Sequence, residues 1–205
     1  MSETKIILIR HGQSLGNAAN IYLGHTNWDL SEEGYRQAQI AAESIKDMEI
    51  SAIYSSSLIR AHNTAVPHAR LRGLEVVDDD ELQEIYIGEW EGQPVPILKK
   101  KEEFIHGWVE NFGTFCPPGG ESVQHAADRM YNAVLKIAKR HIGETVLIAA
   151  HAAVIRSFFG KVSSIPPNEL AAALPFPTNT SLTTVIYDGK KLIPIKYSDD
   201  SHLNK

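Results

Sequence analysis

Cysteine is nearly absent: Cys116 is the only one in 205 residues. A lone cysteine excludes an intrachain disulfide framework and a thiol-rich metal site. Long apolar runs are missing as well. None approaches the about 20 residues that a bilayer-spanning helix needs, and the opening Met1-Ser2-Glu3-Thr4-Lys5 lacks the apolar core of a signal peptide. A cytoplasmic location is therefore the expectation. Strong charge of either sign is also lacking. The formal net charge of -5 gives no reason to expect nucleic acid or a membrane as partner. Any anion site must then be a local positive pocket in a mildly acidic surface. No H-E-x-x-H or similar spacing stands among the nine histidines, so no metal and no cofactor are expected.

What is present is ordinary for a globular chain: 43% hydrophobic and 22% charged residues. The length suits a single domain, 1–205, without repeats or a low-complexity linker. Strand-like runs fall at about 5–9, 51–54, 74–78, 145–150, 182–187 and 191–197. The last two flank Asp188-Gly189, which reads as a hairpin turn. Helical spacing places Gly34, Ala38, Ala41, Ala42, Ile45 and Met48 on one face of 31–48, with Ser31 as its cap. A second face is Val123, Ala127, Met130, Val134, Ile137 and Ala138. Strands alternating with helices predict a three-layer α/β fold, with a mostly parallel sheet, helices on both faces and a C-terminal hairpin. The segment 93–120 breaks the pattern. Its prolines, its Lys99-Lys100-Lys101 run and its four aromatics suggest a lid-like insertion, although a lysine run is more often simply solvated.

The chemistry concentrates at the ends of apolar stretches. Ile6-Ile7-Leu8-Ile9 runs into Arg10-His11-Gly12, a buried strand that delivers polar groups to its carboxyl end, where open α/β sheets hold ligands. A strand-end histidine that merely closes a loop is the plainer alternative. Arg60 follows Ala52-Ile53-Tyr54 within Ser55-Ser56-Ser57-Leu58-Ile59-Arg60-Ala61; Glu84 lies in Leu82-Gln83-Glu84-Ile85-Tyr86-Ile87-Gly88-Glu89-Trp90; His151 follows Thr145–Ala150. Arginine forks suit phosphate oxygens, and a neutral imidazole can attack phosphorus. Glu84 could protonate a leaving alkoxide and later deprotonate water. His151 would add a donor, as an imidazolium if bound phosphate raises its pKa.

Together these stretches resemble the histidine phosphatase superfamily, in its phosphoglycerate mutase-like branch, over nearly the whole chain. The resemblance implies the same roles for Arg10, His11, Arg60, Glu84 and His151, with a phosphohistidine intermediate and no metal. It selects Glu84 over Glu81, Glu89 and Glu91 by the spacing to Gly88 and Trp90. It also implies substrate contacts from Asn17, Gly24, Ala152, Asn179 and Thr180, although Asn17 could equally form a local turn. Ala152 departs from the family's usual glycine and could shift the backbone there. Leu23 stands where relatives carry Thr or Gln, and Gln13 where Glu is common. The remaining histidines are read as surface or structural.

Glycolytic mutases of the superfamily carry Arg-His-Tyr after the proton-transferring glutamate, where this chain has Ile85-Tyr86-Ile87. They also have an arginine-bearing insertion, where 93–120 has lysines only. The expected activity is therefore hydrolysis of a small phosphorylated metabolite. The alternatives are a phosphoglycerate mutase or a non-catalytic phospho-ligand binding module. Oligomeric state is open: an apolar edge or helix face could support a homodimer.

Overall fold

The structure, a computed structural model, describes residues 2–204. One six-stranded sheet is built from β1 (Thr4–Arg10), β2 (Ala52–Ser55), β3 (Val76–Asp78), β4 (Thr145–Ala150), β5 (Leu182–Tyr187) and β6 (Leu192–Asp199). Their spatial order is β3-β2-β4-β1-β5-β6. The first four run parallel; β5 pairs antiparallel with β1, and β6 with β5. Ile6, Ile7, Leu8 and Ile9 are all buried, as a strand covered on both faces requires.

The helices α1 (Glu32–Ser44), α2 (Ile59–Arg72), α3 (Val123–Arg140) and α4 (Ala152–Val162) supply that cover. Ile7, Ile9, Leu147 and Ala149 pack with Ala41 of α1 and with Ala61, Ala65 and Ala69 of α2. Ile6, Leu8, Val146 and Ile148 pack on the other side with Met130, Val134 and Ile137 of α3 and with Val154 and Phe158 of α4. The three-layer α/β architecture is thus the one expected from the sequence, and the hairpin is too. At its turn Asp188 Oδ1 accepts from the Lys190 and Lys191 amides, each at 2.8 Å.

Boundaries differ where local hydrogen bonds compete. Helix α1 is capped by Ser31 Oγ, which accepts from the Gly34 amide at 3.1 Å, but it stops at Ser44, short of 48. Strand β3 begins at Val76 because the Leu74 amide is used on the Ala69 carbonyl, closing α2 behind the left-handed Gly73. Gly34, on the face of small residues in 31–48, meets the loop after β1. A Cβ on it would lie 2.0 Å from the Gln13 carbonyl oxygen, and one on Gly12 would lie 2.4 Å from the Gly34 oxygen. Both glycines let the backbone after His11 press onto the start of α1.

The segment 93–120 folds as a short helix (Val95–Leu98), a π-helical turn (Phe104–Glu110) and a tight turn (Phe112–Thr114). Leu98, Phe104, Trp108 and Phe112 are buried in the same core as α3 and α4.

Candidate active site

Register places the two central histidines together. Arg10 pairs with Ala150 in the parallel β1–β4 ladder, so His11 and His151 each follow directly at the carboxyl edge. The His11 amide donates to the Ala150 carbonyl at 3.0 Å. The two rings lie 5.2 Å apart, tilted by 59°.

The Gly12 carbonyl lies 2.7 Å from His11 Nδ1. A carbonyl only accepts, so Nδ1 carries the proton and Nε2 presents its lone pair. Burial, then the guanidiniums of Arg60 and Arg10, hold the His11 pKa well below its ordinary value. These are the conditions a nucleophilic imidazole needs. His151 is held well below its ordinary value too, by burial and then by Arg60 and His11. The protein's own groups therefore keep it neutral, and only a bound anion would favour the expected imidazolium. Its Nε2 lies 2.8 Å from Ser56 Oγ, which also accepts from the Leu58 amide. Donation from the Ser56 hydroxyl to Nε2 would put the ring N–H on His151 Nδ1, and the reverse pairing would put it on Nε2. Nδ1 is buried without a protein partner. Ser56 was not singled out from the sequence, although it sits inside the stretch that marks Arg60.

Arg10 Nη1 donates to the Pro177 carbonyl at 2.6 Å, while its Nε is buried and unpartnered. Arg60, only 1% exposed, donates from Nη2 to the Gly24 carbonyl at 2.6 Å and from Nη1 to that of Thr26 at 2.9 Å. Burial pulls its pKa down to about 10, which leaves it cationic at neutral pH. Glu84 is buried at the amino end of α4, where its carboxylate accepts from the Ile85, Ala153 and Val154 amides at 2.9–3.0 Å. Glu81 and Glu89 are exposed, and Glu91 is turned onto the 24–26 loop. Among these glutamates only Glu84 lines the cavity beside His11.

That cavity has a volume of about 580 Å³. Arg10, His11, Gln13, Asn17, Glu84 and Asn179 form its polar end. Leu23, Ile87, Phe104, Trp108, Val109 and Phe176 are among its apolar walls, with Lys99 as the only other cation. Arg60 and His151 lie buried beneath this lining.

The expected substrate contacts divide. Asn17 lines the cavity and also closes the turn, its Oδ1 accepting from the Ser14 amide at 3.1 Å. Asn179 lines the cavity and donates to the His11 carbonyl at 2.9 Å. Ala152 lines it as the first residue of α4, with no positive φ, so the departure from glycine strains nothing. Gly24 and Thr180 do not line it. Gly24 accepts from Arg60, and Thr180 is buried behind β1, its amide donating to the Arg10 carbonyl at 3.0 Å.

His25, read as surface or structural, and Arg129, not singled out from the sequence, lie against the acid. His25 Nε2 donates to the Glu84 carbonyl at 2.8 Å. Arg129 of α3 donates to the Gln83 and Glu84 carbonyls and pairs with Glu121 at 2.8 Å. The Gly119-Gly120-Glu121-Ser122 segment is thus a helix start, with Ser122 as cap, and also an anchor for the loop carrying Glu84. Among the described residues, no group of three or more His, Cys, Asp or Glu is placed to hold a metal ion, and no helix is long and apolar enough to cross a membrane.

The histidine phosphatase superfamily (branch 1) matches residues 6–200. The chain belongs to that superfamily. It is 34% identical over 156 residues to phosphoserine phosphatase 1 of Hydrogenobacter thermophilus, covering 76% of this chain and 74% of the relative. It is 33% identical to the metal-independent phosphoserine phosphatase of Arabidopsis thaliana, covering 98% and 84%. Among solved structures, a mycobacterial glucosyl-3-phosphoglycerate phosphatase in complex with VO3 superposes with a TM-score of 0.88 at 27% identity, covering 96% and 99%. Phosphomonoester hydrolysis without a metal is the activity class these histidine phosphatases support. Phosphoglycerate mutases are also among the relatives and remain the alternative.

Proposed function

We propose that this chain hydrolyses a small phosphomonoester that also carries a carboxylate, as phosphoserine does, through a phosphohistidine. The observation that carries the reading is His11 itself, its Nε2 free and unprotonated beside two guanidiniums. His11 Nε2 bonds to phosphorus as the ester P–O bond breaks, and Glu84 in its acid form passes its proton to the leaving oxygen. The resulting carboxylate takes a proton from water as that oxygen attacks phosphorus, which releases inorganic phosphate and restores the imidazole. Arg10, Arg60 and His151 hold the charge spread over the equatorial oxygens. Asn17 and Asn179 border the phosphate.

Lys99, exposed in the cavity lining and with no side-chain partner among the described residues, suits the substrate carboxylate, and the names of the phosphoserine phosphatases point the same way. Lys99→Ala should lower kcat/KM for phosphoserine by about tenfold, the worth of one charge-assisted contact, while leaving p-nitrophenyl phosphate unaffected. Equal losses on both substrates would remove Lys99 from this role.

Hydrolysis should also outrun transfer. Ile87 and Leu23 line the cavity, and apolar groups cannot hold a second phosphate in place. Ile85, next in the chain to the acid, packs in the core and gives Glu84 its amide. In a panel of small phosphomonoesters, phosphate release from the best substrate should exceed interconversion of 3- and 2-phosphoglycerate primed with 2,3-bisphosphoglycerate. Chelator should not change the rate, and vanadate should inhibit. Faster isomerisation would favour the mutase, and loss of activity in chelator restored by added metal would overturn the charge assignment.

A further inference from the structure

One carboxylate holds together the loop on which both the phosphate clamp and the acid rest. Glu91 lies outside the cavity lining, yet its oxygens accept from every amide of the 24–26 loop. The Gly24 amide is at 3.2 Å, that of His25 at 2.7 Å and that of Thr26 at 3.1 Å, with the Thr26 hydroxyl at 2.5 Å. Burial alone would raise the Glu91 pKa, but the Thr26 hydroxyl and these amides outweigh it and hold it below the ordinary carboxylate range. The loop's other face is equally committed. Its Gly24 and Thr26 carbonyls accept from the Arg60 fork, and the His25 ring donates to the Glu84 carbonyl. A Cβ at Gly24 would stand 2.4 Å from Glu91 Oε1 and 2.5 Å from the Ile85 carbonyl oxygen, so the loop sits against this carboxylate with no room to spare.

We infer that Glu91 is a positioning residue, which through the 24–26 loop sets Arg60 against the phosphoryl group and Glu84 against the leaving oxygen. The physical reason is the balance of donors and acceptors. With Glu91 ionised, the three loop amides point one way and the Gly24 and Thr26 carbonyls point at Arg60. Without that anion the amides lose their acceptor, the loop relaxes, and the arginine fork loses its frame. A displacement of about 1 Å in such a support can cost on the order of 100-fold in rate. The inference rests on the phosphatase reading, because Arg60 and Glu84 matter only if that chemistry occurs.

Glu91→Gln keeps the shape but removes the charge and turns an NH2 group towards the loop amides. With p-nitrophenyl phosphate it should lower kcat by about 10- to 100-fold and weaken vanadate inhibition by a similar factor, since vanadate reports the clamp without any proton transfer. The deciding measurement is a double-variant cycle with Arg60→Ala. If Glu91 acts through Arg60, the Glu91→Gln/Arg60→Ala protein should lose little beyond Arg60→Ala alone. Losses that multiply, or unchanged kcat and vanadate affinity in Glu91→Gln, would overturn the proposal. Should Glu91→Gln fail to fold, Thr26→Val removes one contact to the same carboxylate and should show the same coupling at a few-fold effect. A wild-type protein that turns over no phosphomonoester would defeat the phosphatase reading instead, so the two failures are distinguishable.

Discussion

His11→Ala should abolish turnover, and brief incubation of the wild-type protein with substrate should leave phosphate on His11 in an acid-labile, base-stable bond. The variant removes the imidazole that lines the cavity with its tautomer fixed through the 2.7 Å contact to Gly12. Full activity in His11→Ala would end the phosphohistidine mechanism. The pH dependence follows from the same residue. Its folded pKa lies well below the ordinary value of 6.5, with burial the main cause. The nucleophile therefore stays unprotonated as pH falls through 6.5. The acid limb of kcat/KM that belongs to His11 should lie well below that point, once the titration of the substrate phosphate is allowed for. A limb centred at 6.5 would contradict the assignment. Stability moves oppositely. The unfolded chain takes up protons on His11, His68 and His151 below about pH 6.5, while the folded protein resists, with His68 pushed down to about 3 by burial. Folding should thus weaken progressively as pH drops from that value.

Glu84→Gln should slow turnover by roughly 10²- to 10⁴-fold, the range typical of general acid–base catalysis. Glutamine preserves the volume and one acceptor for the Ile85, Ala153 and Val154 amides, but it cannot donate the proton the leaving oxygen needs. The loss should shrink with p-nitrophenyl phosphate, whose leaving group requires little protonation. Arg60→Ala should instead hurt good and poor leaving groups alike, because its charge serves the phosphoryl oxygens. Equal losses across leaving groups in Glu84→Gln would remove Glu84 from the acid role.

Much of this organisation is legible without coordinates. The apolar run Ile6-Ile7-Leu8-Ile9 before Arg10-His11-Gly12 reads as a strand covered on both faces. The spacing of small residues in 31–48 marks a helix packed closely on one side, and Asp188-Gly189 marks a hairpin. The ends of α1 and β3 were not readable, because they depend on whether single amides, such as that of Leu74, are taken by a neighbouring helix.

The sequence by itself determined the element types, the family, and the polar residues carried at strand ends, because periodicity and short motifs are local properties. It could not decide which of those residues meet. His11 and His151 stand 140 positions apart and are neighbours only through the β1–β4 register. Glu84 is separated from the glutamates around it by burial and by the amides of a helix 70 residues further on. Gly24 and Thr180, expected at the substrate, do not line the cavity. Ser56, Glu91 and Lys99 gain their meaning from groups across the sheet edge or the cavity. Those relations arise from long-range hydrogen bonds and from the exclusion of water by packing, and only the tertiary structure supplies both.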